Sequence, residues 1–133
     1  MGRAVCAAVE ADPDLNLVAA VDRHTDGPDP LDGVALSTEL HAFAEARCDV
    51  VVDFTVADAA RATIPWLGMH GIHAVVGTTG FGEQDIELFE STFGPEGRGG
   101  DGPNCLIAPN FAISAVLMMR FAALAARHFE SVE

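Results

Sequence analysis

The sequence predicts an α/β protein built on a doubly wound parallel sheet, and three observations carry that prediction. Short apolar runs alternate with helix-like stretches of about ten or more residues, the rhythm of parallel strands joined by helical crossovers. One run, Asp49–Phe54 (DVVVDF), reads as a buried strand. Two others, Ile72–Val76 and Leu106-Ile107, end in small, polar, turn-forming residues: Gly77-Thr78-Thr79-Gly80-Phe81 and Ala108-Pro109-Asn110-Phe111. In open α/β sheets ligands bind beyond the carboxyl ends of the strands, so these two endings read as the floor of a ligand site.

The elements follow in order. Gly2–Ala11 is a good helix former, stopped by Asp12-Pro13-Asp14. Leu15–Val21 reads as a strand, and Asp22 to Gly33 as a loop rich in Asp, Gly and Pro. Thr38–Arg47 is a short helix before the strand Asp49–Phe54. Thr55-x-x-Asp58 resembles a capping box and opens a helix to about Met69, with Pro65 expected to kink or break it. Ile72–Val76 is the next strand and Glu83–Phe93 the next helix. Gly94–Pro103 reads as a connecting surface loop, Cys105–Ala108 as the last strand and Ala112–Phe129 as the last helix. No internal repeat is present. The chain opens on a helix with no strand before it, so the first strand of such a sheet is expected to be missing.

A length of 133 residues suits one domain with a real core. The apolar fraction of 50% and positive mean hydropathy of +0.27 are those of a globular chain. Seven basic residues against 20 acidic ones leave a formal charge of −13, the wrong sign for nucleic acid or an anionic membrane surface. An anionic ligand would have to be held locally, by backbone N–H groups or a single arginine. Cys6, Cys48 and Cys105 are odd in number and widely spaced, which predicts buried free thiols in a cytoplasmic protein. The N-terminus carries no signal-peptide pattern, and Ala112–Phe129 is too short and, with Arg120 and Arg127, too polar to span a bilayer.

Several residues carry chemistry. Gly2 stands at the mouth of a helix, and Asp22 ends a strand about 20 residues on, the spacing of a dinucleotide-binding turn and its ribose-binding acid. Bare glycine backbone lets pyrophosphate approach the helix N-terminus, while the carboxylate accepts from ribose hydroxyls. A plain helix start and a turn aspartate fit the same residues. Arg23 could receive a 2′-phosphate, so the Asp-Arg pair suits both NADH and NADPH, although a solvated loop arginine is the simpler reading. Thr78, Thr79 and Asn110 could bond a ribose or carboxamide, or serve only as turn residues. Asp53, at a buried strand end, is expected to orient neighbouring backbone. His24, His41, His70, His73 and His128 form no metal-ligand spacing, and no acid–base pair suggests a catalytic residue in this chain.

In order along the chain, Met1-Gly2-Arg3, Asp22-Arg23, Asp53-Phe54-Thr55, Gly71–Phe81 and Ala108-Pro109-Asn110-Phe111 resemble the N-terminal domain of the 4-hydroxy-tetrahydrodipicolinate reductase (dihydrodipicolinate reductase) family. The resemblance covers essentially the whole chain, and the GTTGF and APNF blocks are its specific parts. It implies a Rossmann-like cofactor domain over residues 1–129, with 130–133 starting a linker to an absent substrate and tetramerisation domain. It implies that Met1 and Gly2 end a phosphate loop, that Asp22 binds the adenosine ribose, and that Arg23 meets the 2′-phosphate of NADPH. Gly77, Thr78 and Thr79 would line the nicotinamide, and Ala108, Pro109, Asn110 and Phe111 would complete that wall, with Phe54 and Thr55 beside it. The implied reaction is NAD(P)H-dependent reduction of a dicarboxylate heterocycle in diaminopimelate and lysine biosynthesis, by a homo-tetramer. The family's His-His-x-x-x-Lys and Gly-Thr-Ala segments are not in this chain, so it is expected to be inactive alone. Other readings of the residues are a non-catalytic nucleotide-binding module, or the cofactor half of an aspartate or homoserine dehydrogenase. The nearly all-round apolar Ala112–Phe129 predicts poor solubility of these 133 residues by themselves.

Overall fold

The computed structural model describes residues 1–23, 33–97 and 102–129. The chain begins with α1 (Gly2–Ala11), then β1 (Ala20–Val21) and β2 (Leu36–Ser37), which form a parallel two-stranded sheet. Next come α2 (His41–Glu45), β3 (Val50–Asp53), α3 (Ala57–Met69), β4 (His73–Val76), α4 (Glu83–Gly97), β5 (Cys105–Ile107) and α5 (Ile113–Ala125), with a 3-10 turn over Ala126–His128. The strands β3, β4 and β5 form a second sheet in that order, all parallel. Helices alternate with parallel strands, as the apolar rhythm predicts.

Register sorts the side chains of the second sheet into two faces. Val51, Ala74 and Cys105 are partners across the strands, as are Asp53, Val76 and Ile107, and together they form one face. This face carries the core. Ala60, Ile64 and Leu67 of α3 are fully buried against it, spaced four and three residues apart on one helical stripe, and Phe89 and Phe93 of α4 join them. Val50, Val52, Val75 and Leu106 form the other face, where Val50 is 51% and Leu106 56% exposed.

Two helix ends illustrate how the sequence sets the path. At the end of α3, the Ile72 N–H donates to the Leu67 carbonyl and the Gly71 N–H to Gly68, with Gly71 at φ 71°. This Schellman arrangement needs a left-handed residue, which glycine supplies without a side-chain clash. The same pair of bonds closes α2, Cys48 N–H to Phe43 and Arg47 N–H to Ala44, but there Arg47 occupies the left-handed position at φ 53°.

Several boundaries depart from the sequence reading. The strand expected over Leu15–Val21 shrinks to Ala20–Val21, because only those residues find a ladder partner, and Leu15 and Val18 stay exposed. That partner, β2, is too short to show a period and was not expected. The helix expected over Thr38–Arg47 starts late, because the Glu39 N–H donates to Ser37 Oγ in a local turn. The capping box at Thr55 does not form: its hydroxyl donates to Asp53 instead, the N-cap of α3 is Val56, and Asp58 pairs with Arg61. Pro65 lies inside an unbroken α3, where the nearby Ile64 and Leu67 anchor the turn in the core. Helical structure continues past Phe93 to Gly97 through a kink at Gly94, and residues 98–101 of the expected loop lie outside the described residues. So do residues 24–32 of the Asp22–Gly33 loop and residues 130–133. Cys6, Cys48 and Cys105 are free, as expected, but half-buried and not fully enclosed.

Candidate nucleotide-binding site

The parallel strands end together, and the loops that follow them are tied to one another. Asp53, the last residue of β3, is 4% exposed and accepts three hydrogen bonds at Oδ1: from the Thr55 N–H (2.8 Å), the Thr55 hydroxyl (2.7 Å) and the Thr78 hydroxyl (3.0 Å). Thr78 Oγ1 also lies 3.1 Å from the Thr55 carbonyl. One buried carboxylate oxygen therefore joins the turn after β3 to the turn after β4, and its several donors satisfy a group that is costly to bury unbonded.

The same two turns meet through an aromatic. A Cβ placed on Gly77 would lie 2.1 Å from the Phe54 ring, so glycine is required there by the ring that crosses it. Phe54 in turn meets Phe111 edge-on, with ring centroids 5.5 Å apart. Residues after β3, β4 and β5 thus form one continuous surface. On it Thr79, Pro109 and Asn110 are exposed, and Phe111 is 48% exposed.

The outer end of the β4 loop is held by charged side chains. Arg61 of α3 donates through Nε and Nη2 to both oxygens of Asp85 (2.9 and 3.1 Å), through Nη2 to the Gly80 carbonyl (3.2 Å), and through Nη1 to Asp58 (2.6 Å). Asp85 Oδ2 also accepts from the Gly82 N–H at 2.9 Å, capping the start of α4. The hydrogen bond from Arg61, and then that from Gly82, hold the Asp85 carboxyl below its ordinary range, while Asp85 raises the guanidinium. Sequence reading missed Arg61. The nearest signal was its i,i+3 spacing from Asp58, which marks only a local pair.

The other predicted residues gather around α1 and β1. A groove of about 390 Å³ separates the two sheets; among its lining residues are Gly2 and Arg3 of α1, Asp22 after β1, and Val50 and Val52 of β3. Gly2 begins α1 with open space where a Cβ would project, Met1 gives no side-chain cap, and no acidic residue occupies the first turn. That leaves an N-terminal turn suited to an anion. Asp22 is anchored by its N–H to the Ser37 carbonyl at 2.9 Å, and Arg23 follows, exposed. The structure brings Gly2 and Asp22 to one groove and Gly77, Thr78, Thr79 and Ala108–Phe111 to one surface. It turns the Thr78 hydroxyl inward, leaving Thr79 outward.

Of the histidines, His24 lies outside the described residues. His70 stacks on Trp66 at 3.8 Å between ring centroids and lies 2.7 Å from its carbonyl, and His73 Nδ1 accepts the Asn104 N–H. Among the described residues no three His, Cys, Asp or Glu side chains converge as a metal site would require. No described helix is long and apolar enough to cross a membrane.

Parallel strands ending in anchored turns, with a groove lined by the first turn of a helix and by an acidic strand end, define a Rossmann-like domain. The family model described as "Dihydrodipicolinate reductase, N-terminus" matches residues 1–111, and the chain belongs to that family, whose members use a nicotinamide dinucleotide. It is 48% identical over 133 residues to the 4-hydroxy-tetrahydrodipicolinate reductase of Nocardia farcinica, covering all of this chain and 47% of that protein. Over 135 residues it is 43% identical to the same-named protein of Cutibacterium acnes, covering 46% of it. Among solved structures, a dipicolinate-bound dihydrodipicolinate reductase from Paenisporosarcina sp. TG-14 matches 96% of this chain and 49% of its own, with a TM-score of 0.71 and 29% identity. The chain therefore spans about half the length of the curated relatives it matches. Family membership sets aside the aspartate and homoserine dehydrogenase readings.

Proposed function

We propose that this chain is the cofactor-binding half of an enzyme that reduces 4-hydroxy-tetrahydrodipicolinate to tetrahydrodipicolinate with NADH or NADPH, in diaminopimelate and lysine biosynthesis. The observation that carries it is the continuous surface made by Gly77–Gly82 and Ala108–Phe111, in a chain 48% identical along its whole length to a named reductase.

The residues fit the cofactor. Met1 and Gly2 present the open first turn of α1 to the pyrophosphate. Asp22 accepts from the adenosine ribose, and Arg23 is placed for a 2′-phosphate, so both dinucleotides are used. Gly77, Thr78 and Thr79 line the nicotinamide, Thr78 by its backbone because its hydroxyl is already engaged. Ala108, Pro109, Asn110 and Phe111 form the facing wall, with Asn110 near the carboxamide. When bound, the reduced nicotinamide supplies hydride; this chain's residues hold and orient it, and Phe54 and Phe111 keep water from one side. Substrate binding and protonation belong to a substrate and tetramerisation domain outside these 133 residues, with 1–129 as the cofactor domain and 130–133 as the start of the linker. The groove between β1 and β3 is where one further parallel strand would join the two sheets, and we assign it to a strand outside these residues. Partners are the dinucleotide, a dicarboxylate heterocycle and other copies in a homo-tetramer. The charge of −13 argues against nucleic acid and anionic membranes, and the free half-buried thiols fit the cytoplasm.

The test is reduction of 4-hydroxy-tetrahydrodipicolinate by the purified full-length protein, followed as loss of reduced-nicotinamide absorbance. Substrate-dependent oxidation of NADH and NADPH is expected. Dinucleotide binding without turnover would leave the non-catalytic module and overturn the enzymatic assignment.

A further inference from the structure

We propose that Arg61 is a positioning residue for the cofactor: its guanidinium, shared between the Gly80 carbonyl and the Asp85 carboxylate, holds the Gly77–Gly82 loop in its binding conformation. The inference rests on the assignment of that loop to the nicotinamide wall.

The loop is a backbone surface, and its shape has to be imposed from outside. Gly80 sits at φ 93°, a conformation open to glycine and to few others, and a Cβ there would meet only Ala57. Asp53 and Phe54 secure the inner end of the loop at Thr78 and Gly77. Between Thr78 and the first turn of α4, the polar side chains among the described residues that bond the loop's backbone are Arg61, at the Gly80 carbonyl, and Asp85, at the Gly82 N–H. Asp85 is itself held by Arg61 in a two-pronged contact. The planar fork thus fixes a carbonyl and, through Asp85, an amide two residues further on, from a helix whose neighbouring residues Ala60 and Ile64 are fully buried.

Two of the three side chains of this assembly reach solvent, so its contribution to folding is modest. The Arg61 side chain is 41% exposed, Asp85 18% and Asp58 89%, and ion pairs this close to solvent add little to stability. Its effect therefore belongs to loop geometry. A lysine, which offers a point charge without a fork, could replace the charge and not the two-pronged contact. All seven basic residues of the chain are arginine.

The experiment compares Arg61→Met, Arg61→Lys, Asp85→Asn and the Arg61→Met/Asp85→Asn double variant in the full-length protein. Steady-state constants for NADH and NADPH are measured together with thermal midpoints. Arg61→Met is expected to raise the dinucleotide KM about 5-fold, as ordering a few loop residues on binding would require, with kcat within about 2-fold. Arg61→Lys should recover only part of the loss, and the double variant should be no worse than the poorer single one, since both act through one contact. Thermal midpoints should move by less than about 2 °C. An unchanged KM in Arg61→Met, fully additive losses in the double variant, or a midpoint drop above about 5 °C with kcat and KM failing together would overturn the proposal. Failure of the unsubstituted protein to bind either dinucleotide would instead overturn the reading of the loop itself.

Discussion

The two faces of the β3-β4-β5 sheet are both apolar, yet they live in different surroundings. Val51, Ala74 and Val76 lie under α3 and α4 at 6%, 2% and 0% exposure. On the opposite face Val50, Val52 and Leu106 stand 51%, 39% and 56% exposed, and neither α1 nor α5 contains a buried residue. A strand such as VVVD carries the pattern of burial on both sides, and among the described residues only one side receives it. Local pattern thus reports what a surface is built to meet, whereas exposure reports what it meets within these residues.

Unfolding measurements on the two faces can break this contrast. The largest effect is expected at Ile64, fully buried beneath the covered face: Ile64→Ala should cost about 2–5 kcal/mol in urea unfolding. Gly68→Ala comes next, at about 1–3 kcal/mol, because the new Cβ would lie 2.6 Å from Thr92 Cγ2 and 3.1 Å from Phe93 Cε2 where α3 meets α4. In the 133-residue chain, replacing Val52 by Thr on the open face should change stability by about 0.5 kcal/mol or less. Equal losses at Ile64 and Val52 would show that the open face is covered after all.

The contrast sharpens in solution behaviour. Met118 and Phe121 of α5 are 71% and 62% exposed, so the 133-residue chain by itself should self-associate, visible in light scattering. A Met118→Gln/Phe121→Gln pair should reduce that association, with little change in the unfolding midpoint. A chain that is monomeric without these changes would count against the open face as a sticky surface.

Smaller effects test single groups. Arg47→Gly should stabilise the chain by about 0.5–1 kcal/mol, since glycine occupies the left-handed position at φ 53° without a Cβ penalty. On the covered face, burial pushes the Cys105 thiol to about 11 from an ordinary 9.0. Its contribution to stability is therefore complete below pH 9.0 and is lost as pH rises toward about 11, where the unfolded thiol has ionised and the folded one begins to. Near neutral pH it should be the slowest of Cys6, Cys48 and Cys105 to react with a disulfide reagent.

Much of this was legible from sequence, for reasons that differ by element. Gly2–Ala11, Ile72–Val76 and the end of α3 near Met69 follow local rules, and local rules prevailed there. The GTTGF and APNF endings stood out because strand ends select small and turn-forming residues. Thr55 and Asp58 misled, since the cap they promise locally loses to tertiary partners, Asp53 for one and Arg61 for the other. The Arg61–Asp85 contact joins residues 24 apart and leaves no periodic trace. Nor does Gly77 announce that its missing side chain makes room for Phe54.

The Asp53 knot has a consequence for motion. A single carboxylate oxygen accepts hydrogen bonds from Thr55 and Thr78, so the turns after β3 and β4 cannot rearrange independently. Their degrees of freedom are already coupled before any ligand arrives. A molecule that touches one turn meets a surface whose other half is in register, and the entropy of ordering it was surrendered during folding. Binding there should accordingly show fast, single-step association, with no slow phase of loop closure after encounter.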